Sequence, residues 1–144
     1  GMRLEIGGGA WIDILFPDRD VSAWTTNDGS IVASLTYGET SLVLTGDSTS
    51  KTEKIILDNN EKIDSDILKV GHHGSRSSTS SAFVNAVTPA YALISNGQGN
   101  SYGHPHEEVL QVLADAGAKV LRTDLLGTII MQSDGKNLNF SFKK

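Results

Sequence analysis

Cysteine is absent from the 144 residues, so disulfides, thiolate zinc sites and a cysteine nucleophile are excluded, and the redox compartment is left open. An excess of positive charge is also missing: 12 Lys and Arg stand against 17 Asp and Glu, a net charge of -5. No global positive field draws in nucleic acid, which argues against a simple DNA-binding module. An enzyme that holds phosphodiesters through metal ions stays possible. No apolar run approaches the roughly 20 residues needed to span a bilayer, and no signal-peptide pattern opens the chain. Gly1 before Met2 reads as a tag-removal scar. What is present is ordinary for a globular protein, with 38% hydrophobic and 20% charged residues, enough for one domain over residues 1–144 with a real core.

Strands and turns dominate the first third. Trp11 to Phe16 reads as a strand ended by Pro17-Asp18-Arg19-Asp20, and Gly7-Gly8-Gly9 before it reads as a turn, lacking the Lys-Ser/Thr of a P-loop. Ile31 to Tyr37 alternates with period two, and Gly38-Glu39-Thr40 turns it into Ser41 to Thr45. Beyond Gly46-Asp47, residues 48–59 are expected to be helical, capped by Ser48 or Thr49, with Ile55, Ile56 and Leu57 on the buried side. Ile67, Leu68 and Val70 form a short buried strand that ends in Gly71-His72-His73-Gly74-Ser75.

The second half alternates helix and strand. A serine of the run 77–81 caps a short helix carrying Phe83, Val84 and Val87, which Pro89 ends before the strand Tyr91 to Ser95. A glycine-rich loop over 96–103 leads to His104-Pro105-His106. Pro105 suits the first helical position of the next helix, Val109, Leu110, Val112 and Leu113 form its apolar face, and Gly117 terminates it. Lys119 to Thr123 is a strand, and 127–132 with 138–142 a closing hairpin. The order predicts an α/β fold.

Chemistry collects at strand ends. Asp47 follows one strand, His72 and His73 a second, His104 closes the loop after a third, and Asp124 follows a fourth. Loops at the carboxyl ends of neighbouring strands in an α/β sheet converge on one edge, where ligands bind. One carboxylate with imidazoles suits zinc, manganese or iron. Plainer roles compete: Asp47 as a turn or cap residue, the histidine pair as solvated loop, His104 as a helix cap, His106 as surface, Asp124 as a turn carboxylate. Ser75 lacks the Gly-x-Ser-x-Gly frame of a nucleophile elbow, and its serine cluster more simply caps a helix.

Leu44-Thr45-Gly46-Asp47, Leu68 to Ser75, Tyr102-Gly103-His104-Pro105 and Arg122-Thr123-Asp124 with Gly127-Thr128-Ile129 together resemble the metallo-β-lactamase-like domain of the ComEC/Rec2 competence proteins. Asn27 ahead of Ser30-Ile31-Val32 fits the same pattern with the spacing one residue longer. The resemblance covers about Ile12 to Ile130 and implies half of an αββα sandwich, a mixed sheet flanked by helices. It implies that Asp47 bridges two metal ions, zinc or manganese in a complete domain. One of His72 and His73 would be a metal ligand, with a lean towards His73, and His104 would be a catalytic histidine that stabilises charge or protonates a leaving group. A site of that kind activates water and clamps a phosphodiester for in-line attack. The implied substrate is DNA during uptake. The implied parent is a bacterial membrane protein carrying this domain outside the cytoplasm.

The family's His-x-His-x-Asp-His signature is absent, because the four histidines are His72, His73, His104 and His106. The chain therefore reads as the C-terminal half of the domain, cut from a longer protein or encoded as a truncated frame. It is expected to be inactive alone, since three protein ligands are the usual minimum for a catalytic metal. Exposed apolar surface and a homodimer are the structural corollaries. The alternatives are a binding or assembly module with relic ligands, and a fragment of a secreted metallo-hydrolase acting on another ester, such as phosphocholine.

Overall fold

Alternating and continuous apolar runs supply the strands of a single seven-stranded sheet. The computed structural model describes residues 1–59 and 62–144. The strands in spatial order are β1 (Met2–Gly7), β2 (Ala10–Phe16), β3 (Val32–Tyr37), β4 (Thr40–Leu44), β5 (Ile67–Lys69), β6 (Tyr91–Ile94) and β7 (Lys119–Arg122). Pairing is antiparallel from β1 to β4 and parallel from β4 to β7. The expected α/β class is what forms, as a mixed sheet.

Helices α1 (Ser50–Asp58), α2 (Ser81–Val87) and α3 (Glu107–Asp115) connect the parallel strands. A one-turn α4 (Thr123–Leu126) leads into the hairpin β8 (Thr128–Ser133) and β9 (Leu138–Lys143). Period two divides the sheet's side chains cleanly between its faces. Val43, Leu68 and Ala92 lie in register on one face and form the core with Ile56 of α1, Phe83 and Val84 of α2, and Val109 and Leu113 of α3. On the opposite face Leu42, Ile67 and Tyr91 are in register. That face meets the β8–β9 hairpin: the Tyr91 and Phe140 rings lie 4.7 Å apart, and Thr40 Oγ1 is 2.7 Å from Ser133 Oγ. An apolar cleft of about 240 Å³, lined by Ile6, Leu35, Leu42, Ile67, Met131 and Leu138 among others, remains beneath the hairpin.

Several local expectations are revised. β1 precedes the strand expected first, joined to it through Gly7, Gly8 and Gly9 at φ of 90°, 62° and 84°, a left-handed run only glycine adopts cheaply. α1 starts at Ser50, so Thr49, one of the two proposed caps, takes the N-cap position, but its side chain makes no capping hydrogen bond. Thr49 Oγ1 donates instead to Asp28 Oδ1 at 2.5 Å, and Ser48 Oγ is buried without a partner among the described residues. The inward face of α1 is Thr52, Glu53 and Ile56, with Ile55 and Leu57 only half-buried. α3 starts at Glu107, so Pro105 stands outside it and His106 takes the N-cap position. Ser80 caps α2 as anticipated, its Oγ accepting from Phe83 N at 3.4 Å.

Candidate functional site

Four consecutive parallel strands, β4 to β7, end at the same sheet edge, and antiparallel β3 begins there. That edge therefore carries Asp47, the His72-His73 turn, the loop from Ser95 to His104, Asp124, and Asn27 ahead of β3. Convergence of these segments is a consequence of strand direction alone.

Gly71–Gly74 forms a tight, kinked turn in which both histidines are left-handed, at φ of 46° and 57°. Such conformations cost on the order of 1–3 kcal/mol for a non-glycine residue and persist only where neighbours impose them. Here His72 N donates to Gly46 O at 3.1 Å, Ser75 N to His72 O at 2.9 Å, and Ser78 Oγ to Gly71 O at 2.9 Å.

The two histidines point to different surroundings. His73 Nδ1 lies 2.5 Å from Ser95 O, a carbonyl that can only accept, so Nδ1 carries a proton, and in the neutral imidazole Nε2 presents a lone pair. That lone pair faces Asp47 Oδ1 at 3.5 Å, and both side chains are about half exposed. Two electron-pair donors facing each other at this distance repel unless a proton or cation lies between them. Two ligands at about 2.0–2.2 Å from a tetrahedral ion would themselves stand about 3.4 Å apart. The backbone carbonyl on the remote ring nitrogen is the partner that orients metal-binding imidazoles elsewhere. Asp47 and His73 thus fit a divalent ion as a two-donor fragment.

His72 has both ring nitrogens near polar side chains, Nδ1 at 3.2 Å from Ser77 Oγ and Nε2 at 3.4 Å from Asn27 Nδ2. Its ring meets that of His104 edge-on at 5.8 Å. The loop after β6 holds His104 through its backbone: His104 N donates to Asn100 Oδ1 at 3.0 Å, and its carbonyl accepts from Asn100 Nδ2 at 2.7 Å and Asn96 Nδ2 at 3.2 Å. Burial, and then the positive charge that His106, His72 and His73 can carry, hold the His104 imidazole below its ordinary pKa. At neutral pH it is an uncharged hydrogen-bonding group.

Tyr102, 77% exposed, stacks on His104 at 5.7 Å and 25°. These rings, with His73, Ser95, Asn96 and Asn100, line a cavity of about 300 Å³. Lys69, in β5, is pushed below its usual pKa by burial, an effect the Asp47 carboxylate opposes.

Two strand-end residues are otherwise engaged. Asp124 takes a fork of hydrogen bonds from Arg122, at 3.0 and 2.6 Å, which holds its carboxyl below the usual range. His106 Nδ1 accepts from Arg76 N at 3.3 Å. Among the described residues no group of three or more His, Asp or Glu side chains converges as a metal cage. Asn96, Asn100 and Ser95 had no role from sequence alone, and Ser77 only that of a possible helix cap. The density of Asn and Gly over 96–103 was the available signal.

No protein-family model matches the chain. It is similar to ComE operon protein 3 of Bacillus subtilis, 44% identical over 116 residues that cover 81% of this chain. It is also similar to competence protein ComA of Neisseria gonorrhoeae, 40% identical over 104 residues, 72% of the chain. Recombination protein 2 of Haemophilus influenzae is 36% identical over 121 residues, 84% of the chain. The chain spans about 15% of the length of each of these relatives.

Proposed function

Homology supports a competence-protein family of the ComEC/Rec2 type for this chain, and from that premise we propose that it carries one half of a metallo-β-lactamase-like site that hydrolyses DNA phosphodiesters. The observation that carries this reading is His73 Nε2 facing Asp47 Oδ1 at 3.5 Å, with Nδ1 fixed by Ser95 O. The half-sandwich is supported by a sheet with three helices packed on one face and an apolar opposite face that a single hairpin partly covers.

In this reading Asp47 and His73 would hold a divalent ion, zinc or manganese, and His72 steadies the turn through Ser77 and Asn27. A bound ion would polarise a phosphoryl oxygen and lower the pKa of water at the site. Neutral His104 donates a hydrogen bond towards the developing charge or the leaving oxygen. Tyr102 offers an exposed aromatic face on which a base can stack. With a net charge of -5, hold on phosphate has to come from the ion rather than from a basic surface.

The two-donor set predicts that this chain alone binds the ion weakly and does not turn over. Titration of the chain with Mn²⁺ or Zn²⁺ by calorimetry is expected to show weak binding that Asp47→Ala and His73→Ala remove. His72→Ala should weaken it less, and His106→Ala should leave it unchanged. Equal affinity in the parent and in His73→Ala would sink the ligand assignment. Robust phosphodiesterase turnover by the chain, lost in Asp47→Ala, would overturn the inactivity. Incompleteness of the donor set favours one second reading, a binding or assembly module with relic ligands, and an absence of any binding in the titration would select it.

A further inference from the structure

β1 sits at the sheet edge, paired with β2 on one side, and all six of its residues are exposed. Met2, Leu4 and Ile6 are 63%, 46% and 55% exposed. The register sets Met2 opposite Ile14 and Leu4 opposite Ile12, so these five apolar side chains share the sheet face that carries no helix. Arg3 and Glu5 project from the other face, where Arg3 forks onto Asp13 at 2.7 and 2.8 Å and lies over the Trp11 ring.

Natural edge strands are protected by proline, by inward-pointing charge, by extreme shortness or by a covering element. Among the described residues β1 has no proline and no covering element; its only charges are Arg3 and Glu5, and its irregularity lies at the Glu5–Gly7 end. An edge of six residues with exposed apolar side chains is a template for another strand.

We infer that β1 pairs antiparallel with β1 of a second copy, with Leu4 on the two-fold axis, joining two sheets into one. Directly opposed residues in an antiparallel pair lie on the same face, so only registers centred on a single residue are open to a symmetric pair. Centring on Arg3 sets arginine against arginine, and centring on Glu5 sets glutamate against glutamate; like charges directly opposed are destabilising. Centring on Leu4 sets Leu4 against Leu4, Met2 against Ile6, and Arg3 against Glu5 twice. Only that register is complementary on both faces at once. It also doubles the apolar strip of Met2, Leu4, Ile6, Ile12 and Ile14 into one continuous patch.

Absence of cysteine makes single-cysteine variants clean probes. Opposed Cα atoms in an antiparallel pair are about 4.5 or 5.5 Å apart, within the range of about 4.4–6.8 Å that a disulfide spans. Light scattering of the parent chain is expected to give twice the chain mass. Under mild oxidation Leu4→Cys should cross-link to a dimer, Met2→Cys and Ile6→Cys should not when alone, and an equal mixture of those two should. Glu5→Lys sets a lysine against Arg3 at two places and is expected to raise the dimer dissociation constant about tenfold. All these side chains are exposed, so circular dichroism should match the parent in each variant. A monomeric mass at every concentration, which would leave the edge open to a different strand, overturns the proposal. So does cross-linking of Met2→Cys or Ile6→Cys alone as fast as Leu4→Cys, or a Glu5→Lys dimer as tight as the parent.

Discussion

Gly74→Ala is expected to separate the two histidine loops and to destabilise the protein by about 3 kcal/mol or more, from an added left-handed strain and a steric clash that each cost roughly 1–3 kcal/mol. Gly74 has φ of +85°, and a Cβ there would stand 2.5 Å from Pro105 Cβ and 2.9 Å from Pro105 Cα. Its carbonyl accepts from His106 N at 2.9 Å, so the turn after β5 and the start of α3 are locked together at this point. Pro105 is part of the chain path that positions His104, and relief of the clash has to move one loop away from the other. For a chain of this size the loss corresponds to a fall in Tm of roughly 10 °C. Gly103→Ala is the matched control: φ is +71°, but a Cβ there meets nothing within 4 Å. It is expected to cost only about 1 kcal/mol, through backbone conformation alone. Equal thermal unfolding of the two variants would show that contact with Pro105 carries no weight.

Loss of the Glu53 carboxylate is the second large effect. Glu53 lies in α1, is 1% exposed, and accepts from Thr79 N at 2.5 Å and Ser80 N at 2.9 Å. Those two N–H groups belong to the segment that caps α2, and the same segment supplies Ser77 and Ser78 to the histidine turn. Glu53→Ala leaves two donors unpaired at a buried position, at about 1–3 kcal/mol each, so a total near 4 kcal/mol is expected in denaturant unfolding. Ser77 should shift with its segment, and a changed His72 resonance in NMR would report it.

Glu53 also gives the protein a pH dependence of a specific sign. Burial pushes its pKa above the ordinary 4.5, outweighing the hydrogen bonds from Ser80 and Thr79 that pull it down. The folded state therefore holds this proton more tightly than the unfolded state does. Its contribution to stability is greatest below pH 4.5 and declines as pH rises through the raised folded pKa. Asp28 and Asp124, held below their usual range by Thr49 and Arg122, push the other way and cost stability as pH falls. Comparing the parent with Glu53→Gln removes that background. The parent should gain on the variant as pH drops from neutrality towards 4.5. A stability difference that does not change with pH would show that the buried carboxyl does not titrate in this range.

Much of the fold was readable because its signals are local. Alternation marked β3, the apolar run Ile67, Leu68 and Val70 marked β5, and Ser80 with Phe83, Val84 and Val87 marked α2 and its inward face. β1 was not read as a strand: Met2, Leu4 and Ile6 alternate with Arg3 and Glu5, but the strand lies wholly exposed and lacks the apolar density of a core element. The inward face of α1 was readable at Ile56 but not at Thr52 and Glu53. A glutamate turns inward there because Thr79 and Ser80, 26 and 27 residues away, bring two N–H groups to meet it.

Residue types, their order and their position after strands determined that Asp47, His72, His73 and His104 share one edge, since parallel strands deliver their carboxyl ends together. Which of two adjacent histidines faces Asp47 was decided only in three dimensions. The Ser95 carbonyl takes one nitrogen of His73 and turns the other towards Asp47, while Asn27 and Ser77 engage His72. The physical reason is that adjacent left-handed residues send their side chains in different directions, and the partners awaiting each lie 22 and 45 residues distant along the chain.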